Sequence, residues 1–297
     1  MDVARREAAG ADVVILSHPW VFPLVRDVVD RQKQIVVYDS HNVEGYLRYT
    51  LLDDGGAGTD IVKEVVKIEY ELCHFSDFTL ACSHEDRELF NRLYAVPFEK
   101  MKVVPNGVFT KKINPVSPRE KDGIRQQLGL AQRQTAIFIG SNYQPNLEAA
   151  TYITDWLAPK LPDVTFVIAG GVGAGLDRNA LQSRTNVVVT GFLDDEKKIQ
   201  YLAASDIAVN PMFGGSGTNI KMFDFMAAGL PVFSTEIGAR GIDIAATGAV
   251  QLCDQGAFPE RIRAVLSDAP DDGARCPSAG RGEVFVGNDF ETAGFTC

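Results

Sequence analysis

The chain has 297 residues, 45% apolar and 23% charged, the balance of an ordinary globular protein long enough for two domains. Its net charge is −10 with acidic and basic residues intermixed, and the lack of a basic block argues against a nucleic-acid partner. No apolar run approaches the roughly 20 residues that span a bilayer, and Met1-Asp2-Val3-Ala4-Arg5-Arg6 leads into no apolar signal core, so the expected location is cytoplasmic.

In chain order, residues 13–16, 35–38, 78–81 and 102–104 are short β-branched or aromatic runs that read as buried strands. Between them, 61–74 and 85–93 have helical spacing. Pro105-Asn106-Gly107 is a turn, and a polar stretch, 111–123, follows it. Strands resume at 136–139, 164–169, 187–189, 207–209 and 232–234. A helix is expected after Asn146, with Ala149, Ile153, Trp156 and Leu157 on one face and Pro159 and Pro162 at its end. Two more helices are expected, over 195–204 and 221–228, the second closed by Gly229 and Pro231. Residues 269–297, rich in Gly, Asp and Ala, lack periodicity and are expected to be poorly ordered.

Alternating strands and helices imply parallel sheets with crossover helices, here two Rossmann-like sets joined near 105–123. The first set has only four strand candidates where about six are usual, so it reads as an incomplete domain. Ligands of such sheets sit beyond the carboxyl ends of the strands, which directs attention to the loops after Ile139, Ala169, Val189 and Val209. The five cysteines are odd in number and form no CxxC pair, which fits a reducing setting. The four histidines have no ligand-like spacing, so no metal site is expected.

The chemistry concentrates in the run from Phe213 to Pro231. Three glycines, Gly214, Gly215 and Gly217, permit tight turns and close backbone approach to a ligand. Ser216 and Thr218 add hydroxyls, and a helix starting near Thr218 or Asn219 would aim free N–H groups at a phosphate. Lys221 adds a positive charge in the first turn, and Asp224, three residues on, offers a carboxylate to a ribose. The same spacing also fits a glycine loop before a core helix, with Lys221 and Asp224 a solvated pair. It is not a P-loop, because the Gly-Lys-Ser/Thr ending is absent. Residues 170–175, Gly-Gly-Val-Gly-Ala-Gly, do not form a dinucleotide fingerprint either.

The run Gly-Ser-Gly-Thr-Asn-Ile-Lys-Met-Phe-Asp-Phe-Met-Ala-Ala-Gly-Leu-Pro-Val resembles the donor-site signature of glycosyltransferase family four, the group 1 glycosyltransferases. Pro105-Asn106-Gly107-Val108, Phe138-Ile139-Gly140-Ser141, Val167-Ile168-Ala169-Gly170-Gly171, Val189-Thr190-Gly191-Phe192 and the segment from Ala204 to Pro211 resemble other landmarks of that family in the same order. The resemblance covers about 12–242. It implies a GT-B fold of two facing Rossmann-like domains: a truncated acceptor-side domain over 1–108, a nucleotide-sugar domain over 109–267, and an atypical tail over 268–297. It implies a retaining hexosyl transfer from a nucleotide-diphosphate sugar to a glycan or lipid-linked acceptor, with no cofactor or obligatory metal and an option of peripheral membrane association.

By the same resemblance, Gly140, Ser141, Gly217, Thr218, Asn219, Lys221 and Asp224 bind the donor. His41, after a first-half strand, contacts the donor sugar as the catalytic-site residue, and His18 lines the acceptor side. The pattern departs from the family at three points. Asp224 stands where Glu is usual, Ser216 stands where an acid is usual, and no Arg or Lys follows Gly140 to pair with Lys221 on the diphosphate. Two other functions remain open: a nucleotide-sugar-binding fragment without turnover, and a GT-B epimerase.

Overall fold

A computed structural model describes residues 2–51, 56–130, 133–215 and 217–267. The expectation for residues 269–297, and Ser216 with it, lies outside the described residues. The chain divides into two compact units: residues up to Asn106 together with Gly214–Thr218, and Gly107–Phe213 together with residues from Asn219 onward.

The first unit holds a parallel sheet in the order β1 (Val13–Leu16), β2 (Ile35–Asp39), β3 (Phe78–Ala81), β4 (Met101–Val103). Its helices are α1 (Asp2–Gly10), α2 (Phe22–Val25), α3 (Glu44–Leu51), α4 (Gly56–Phe75) and α5 (His84–Tyr94). Val14, Leu16, Val36 and Tyr38 alternate inward and pack on Leu72, Phe90 and Met101. The opposite residues of the first two strands, Val13, Ile15 and Ile35, stay exposed. The chain thus opens with a helix rather than with the strand expected almost at its start.

The second unit holds the remaining strands and helices. Its strands are β5 (Gln134–Ile139), β6 (Val164–Ala169), β7 (Val187–Gly191), β8 (Ile207–Asn210), β9 (Val232–Ser234) and β10 (Val250–Leu252), all paired in parallel in the order β10-β9-β8-β5-β6-β7. Its main helices are α6 (Pro118–Leu128), α7 (Gln144–Tyr152), α8 (Arg178–Gln182), α9 (Asp195–Ala204), α10 (Lys221–Ala227), α11 (Ile244–Thr247) and α12 (Phe258–Ser267). Both faces of this sheet are covered, which is why its strands read as continuous apolar runs. Phe138, Phe166 and Ile168 pack on one side with Ala149, Ile153 and Leu157; Ile137, Val167 and Ala208 pack on the other with Leu202, Met222 and Phe225.

The polar stretch 111–123 turns out to contain the start of α6. Ser117 caps it, its Oγ accepting from the Glu120 N–H at 3.3 Å, and Pro118 occupies the first turn. The helix has no buried residue. Partly buried Ile124 and Leu128 pack on the core, and ion pairs add to the hold: Asp206 meets Lys121 at 2.6 Å and Arg125 at 3.0 Å.

Strand order in the second unit reverses at β5. From there the chain steps outward through β6 and β7, then returns to β8 on the other side and continues to β9 and β10. The carboxyl ends of β5 and β8 therefore flank a topological switch point, where open α/β sheets leave a crevice for ligands.

Candidate functional site

The loops after β5 and β8 carry the second unit's share of the expected site. Gly140 continues β5, donating its N–H to Ala169 O at 2.9 Å and accepting from Val172 N–H at 3.1 Å. A Cβ at Gly140 would come within 3.0 Å of the Asn146 side chain, so glycine is needed for Asn146 to sit close. Asn146, in the first turn of α7, uses both ends of its amide. Its Nδ2 donates to Ser141 O at 3.2 Å and Ser141 Oγ at 3.3 Å, and its Oδ1 accepts from Lys221 Nζ at 2.8 Å.

Lys221 opens α10 at the other side of the switch point. Besides Asn146, its ammonium lies 4.4 Å from the centre of the Phe138 ring and 3.6 Å from the Met212 sulfur. No carboxylate among the described residues pairs with it. Burial of the ammonium lowers its pKa from 10.5 to about 7, although part of the side chain still meets solvent. The reading of Lys221 and Asp224 as a solvated pair is therefore not what the fold produces: Asp224 pairs with Lys198 of α9 at 3.2 Å instead.

The regular helix begins at Lys221, later than the expected start near Thr218 or Asn219. The N–H groups of Met222 and Phe223 already bond to Asn219 O and Ile220 O, at 2.9 and 3.1 Å, so the turn before the helix consumes donors that a phosphate would otherwise use. Asn219 is also committed, its Nδ2 donating to Gly238 O at 3.1 Å in the loop after β9.

Gly217 and Thr218 belong to the five residues that group with the first unit. Gly217 has φ 74° and any side chain there would strike Asn42, next to His41. The Thr218 hydroxyl is buried without a hydrogen-bond partner. His41 follows β2 and is half exposed, 3.9 Å from Asp39 Oδ2. Its ring meets that of His18 edge-on, with centroids 5.1 Å apart, and His18 stacks on Trp20 at 4.7 Å. The fold thus brings the two expected histidines together. His74 is structural, its Nε2 2.9 Å from Tyr94 O.

A cavity of about 280 Å³ opens at the carboxyl ends of β5 and β6, lined by Ile139 to Asn142, Ala169 to Gly171, Phe192, Leu193 and Lys198. A larger hollow of about 450 Å³ runs along α7, but its lining includes Glu148 and Asp155 and no cation, so it does not suit a phosphorylated ligand. No group of three or more His, Cys, Asp or Glu that could hold a metal occurs among the described residues. Nor is any described helix long and apolar enough to cross a membrane.

Residues 133–268, which contain this switch point, match the family model of the group 1 glycosyl transferases. That segment, a little under half of the chain, is similar to the group 1 glycosyl transferases. It is 28% identical over 204 residues to the GDP-mannose-dependent monoacylated alpha-(1-6)-phosphatidylinositol monomannoside mannosyltransferase of Corynebacterium glutamicum, covering 64% of this chain and 53% of that one. It is 26% identical over 126 residues to the alpha-galactosylglucosyldiacylglycerol synthase of Streptococcus pneumoniae, covering 40% and 33%. The chain thus spans about half, or less, of the length of these curated relatives.

Among solved structures, Anabaena Alr3699/HepE in complex with UDP-glucose superposes with a TM-score of 0.71 at 17% identity, over 90% of this chain and 72% of that one. Sucrose-phosphate synthase from Thermosynechococcus elongatus gives 0.71 at 19%, over 90% and 67%. At such identities the likeness establishes the fold, an α/β chain with two parallel sheets of the GT-B class.

The sequence reading missed the pairing of Lys198 with Asp224, which joins two helices and lies outside the glycine-rich signature that drew attention to the region.

Proposed function

We propose that this chain takes part in a retaining glycosyl transfer from a nucleotide-diphosphate sugar, with the diphosphate held at Lys221. The observation that carries this reading is the Lys221 ammonium itself. It is drawn partly out of water, aimed by Asn146 and Phe138, and without a counter-charge among the described residues, at the switch point of a parallel sheet. As the bond between the sugar carbon and the phosphate oxygen breaks, negative charge grows on the leaving diphosphate. A preorganised cation there lowers the barrier. The acceptor hydroxyl attacks the same sugar carbon, and its proton passes to the departing phosphate oxygen. His41 orients the sugar rather than removing a proton.

The names of the two relatives point to lipid-linked acceptors, which supports such an acceptor here and, with it, peripheral membrane association. Calorimetry with UDP, GDP and ADP, followed by a transfer assay with the sugar nucleotide of the base that binds, tests the reading. Binding in the micromolar range with sugar release supports it, and no binding by any of the three removes it. His41→Ala should lower turnover at least tenfold while nucleotide affinity changes less than about threefold. Binding without turnover would favour the second reading, a nucleotide-sugar-binding chain.

A further inference from the structure

The hollow along α7 has a chemistry of its own. Gln144, Glu148, Thr151 and Asp155 line it, recurring at helical spacing on α7 and on the π turn Ile153–Leu157 that prolongs it. They form one row, about 16 Å long at a rise of about 1.5 Å per residue. At about 100° per residue, Asn146 projects from the opposite side of the helix, where it meets Lys221. α7 thus gives one face to Lys221 and another to the hollow. A π turn within a helix is rare and is found frequently at functional sites.

Tyr152 and Phe213 add aromatic rings to the lining, edge-on with centroids 5.3 Å apart, and Tyr152 also stacks on Trp156 at 5.0 Å. The Tyr152 hydroxyl donates to Gln255 O, which ties that part of the lining to the helix. The volume, about 450 Å³, is that of a small-molecule site. Its polar side chains are two carboxylates, two amides and a hydroxyl, with no cation. Among the described residues Glu148 accepts from Gln144 at 3.2 Å and Asp155 from the Thr154 hydroxyl at 3.0 Å, which leaves each carboxylate lone pairs to spare. A polyol matches this set. Its hydroxyls donate to the carboxylates and exchange hydrogen bonds with the amides, and the C–H face of a sugar ring packs on an aromatic ring. The length of the row suits an extended chain rather than a single ring.

We propose that this hollow binds a neutral oligosaccharide, laid along α7 with hydroxyls on Glu148 and Asp155 and a ring against Phe213. It is a second site, separate from the nucleotide's and independent of the donor-site reading. It holds a glycan close to the switch point, because Gln144 lies two residues from Asn146 and Phe213 follows Met212, whose sulfur meets Lys221.

Trp156 reports on the hollow once Trp20, the other tryptophan, is replaced by Phe. The Trp20→Phe chain, with and without Glu148→Gln and Asp155→Asn, is titrated with mannotriose, maltotriose and trilysine by fluorescence and calorimetry. At least one trisaccharide should shift the Trp156 emission with a Kd in the roughly millimolar range, and added salt should leave that affinity unchanged. The paired substitutions should weaken it at least about tenfold, as expected for hydrogen bonds to charged groups. Both carboxylates are exposed, so these variants should melt with the parent. Three results overturn the proposal: neither trisaccharide binds, binding is unchanged by the paired substitutions, or trilysine alone binds and salt abolishes it, which makes the hollow a site for a basic peptide.

Discussion

Each unit holds an ionisable side chain drawn away from water, and the two are treated in opposite ways. In the first unit, Glu69 of α4 is fully buried and accepts four hydrogen bonds: from the hydroxyls of Tyr38 and Tyr94, both at 2.7 Å, and from the N–H groups of Glu44 at 2.9 Å and Gly45 at 2.7 Å. Burial raises its pKa, and those four donors oppose the rise. In the second unit, Lys221 has one amide oxygen, one sulfur and one ring face, and burial lowers its pKa with nothing opposing. A buried group whose hydrogen bonds are complete binds the fold together. A buried charge left without a counter-ion marks a place where something else completes it.

That contrast can be broken most severely at Glu69. Glu69→Ala strands two tyrosine hydroxyls and two N–H groups in the core, and should cost about 3 kcal/mol or more in stability. A urea titration reads the loss. If stability falls by less than about 1 kcal/mol, the network is not what ties α3 and α4 to β2. Lys221→Met should behave in the reverse sense. Nucleoside diphosphate affinity should drop about 10- to 100-fold, as expected for losing a charge-assisted contact, while the melting temperature holds or rises because a desolvated ammonium has gone. A variant that melts lower and still binds would place Lys221 with Glu69, among the structural groups.

A gentler probe is pH. The Lys221 pKa is about 7 in the folded chain and near 10.4 in an unfolded one. Below pH 7 both states carry the proton and the full cost of burying the charge is present. Between about 7 and 10.4 the unfolded state binds more protons, so this group's contribution to stability rises with pH. Diphosphate binding needs the charged form. Affinity should therefore fall above pH 7, by up to tenfold per unit, and Lys221→Arg should flatten that profile because its charge persists. The smallest effect belongs to Asn146→Ala, which leaves the charge and removes its orientation. About a fivefold loss of nucleotide affinity is expected, roughly one hydrogen bond, and an unchanged affinity would show that Phe138 and Met212 suffice.

Most strands were legible because their signal is local. Residues 13–16, 78–81, 164–169 and 232–234 are strands over those same bounds, each a short apolar run closed by polar or glycine residues. α1, β10 and the polar start of α6 were not: the first turns of α6 are tied down by Asp206 from another element, while its few apolar contacts, Ile124 and Leu128, come later in the helix. The same division runs through the site. Gly140 and Lys221 announce themselves by residue type and spacing. Asn146, Lys198 and Glu69 bond to partners 75, 26 and 24 or more residues away, which no local pattern records. The helix start was misplaced for a related reason, since a tight turn at Asn219–Ile220 satisfies N–H groups before the regular helix begins.

The exposed side of β1 carries a different consequence. This strand pairs with β2 alone among the described residues, and Val13 and Ile15 lie outward beside Ile35. An open strand margin with an oily flank is a template for another chain. It sets a colloidal ceiling on the isolated polypeptide. Light scattering over a concentration series should show growth of particle size, and a nucleotide bound to the second unit should do little to arrest it.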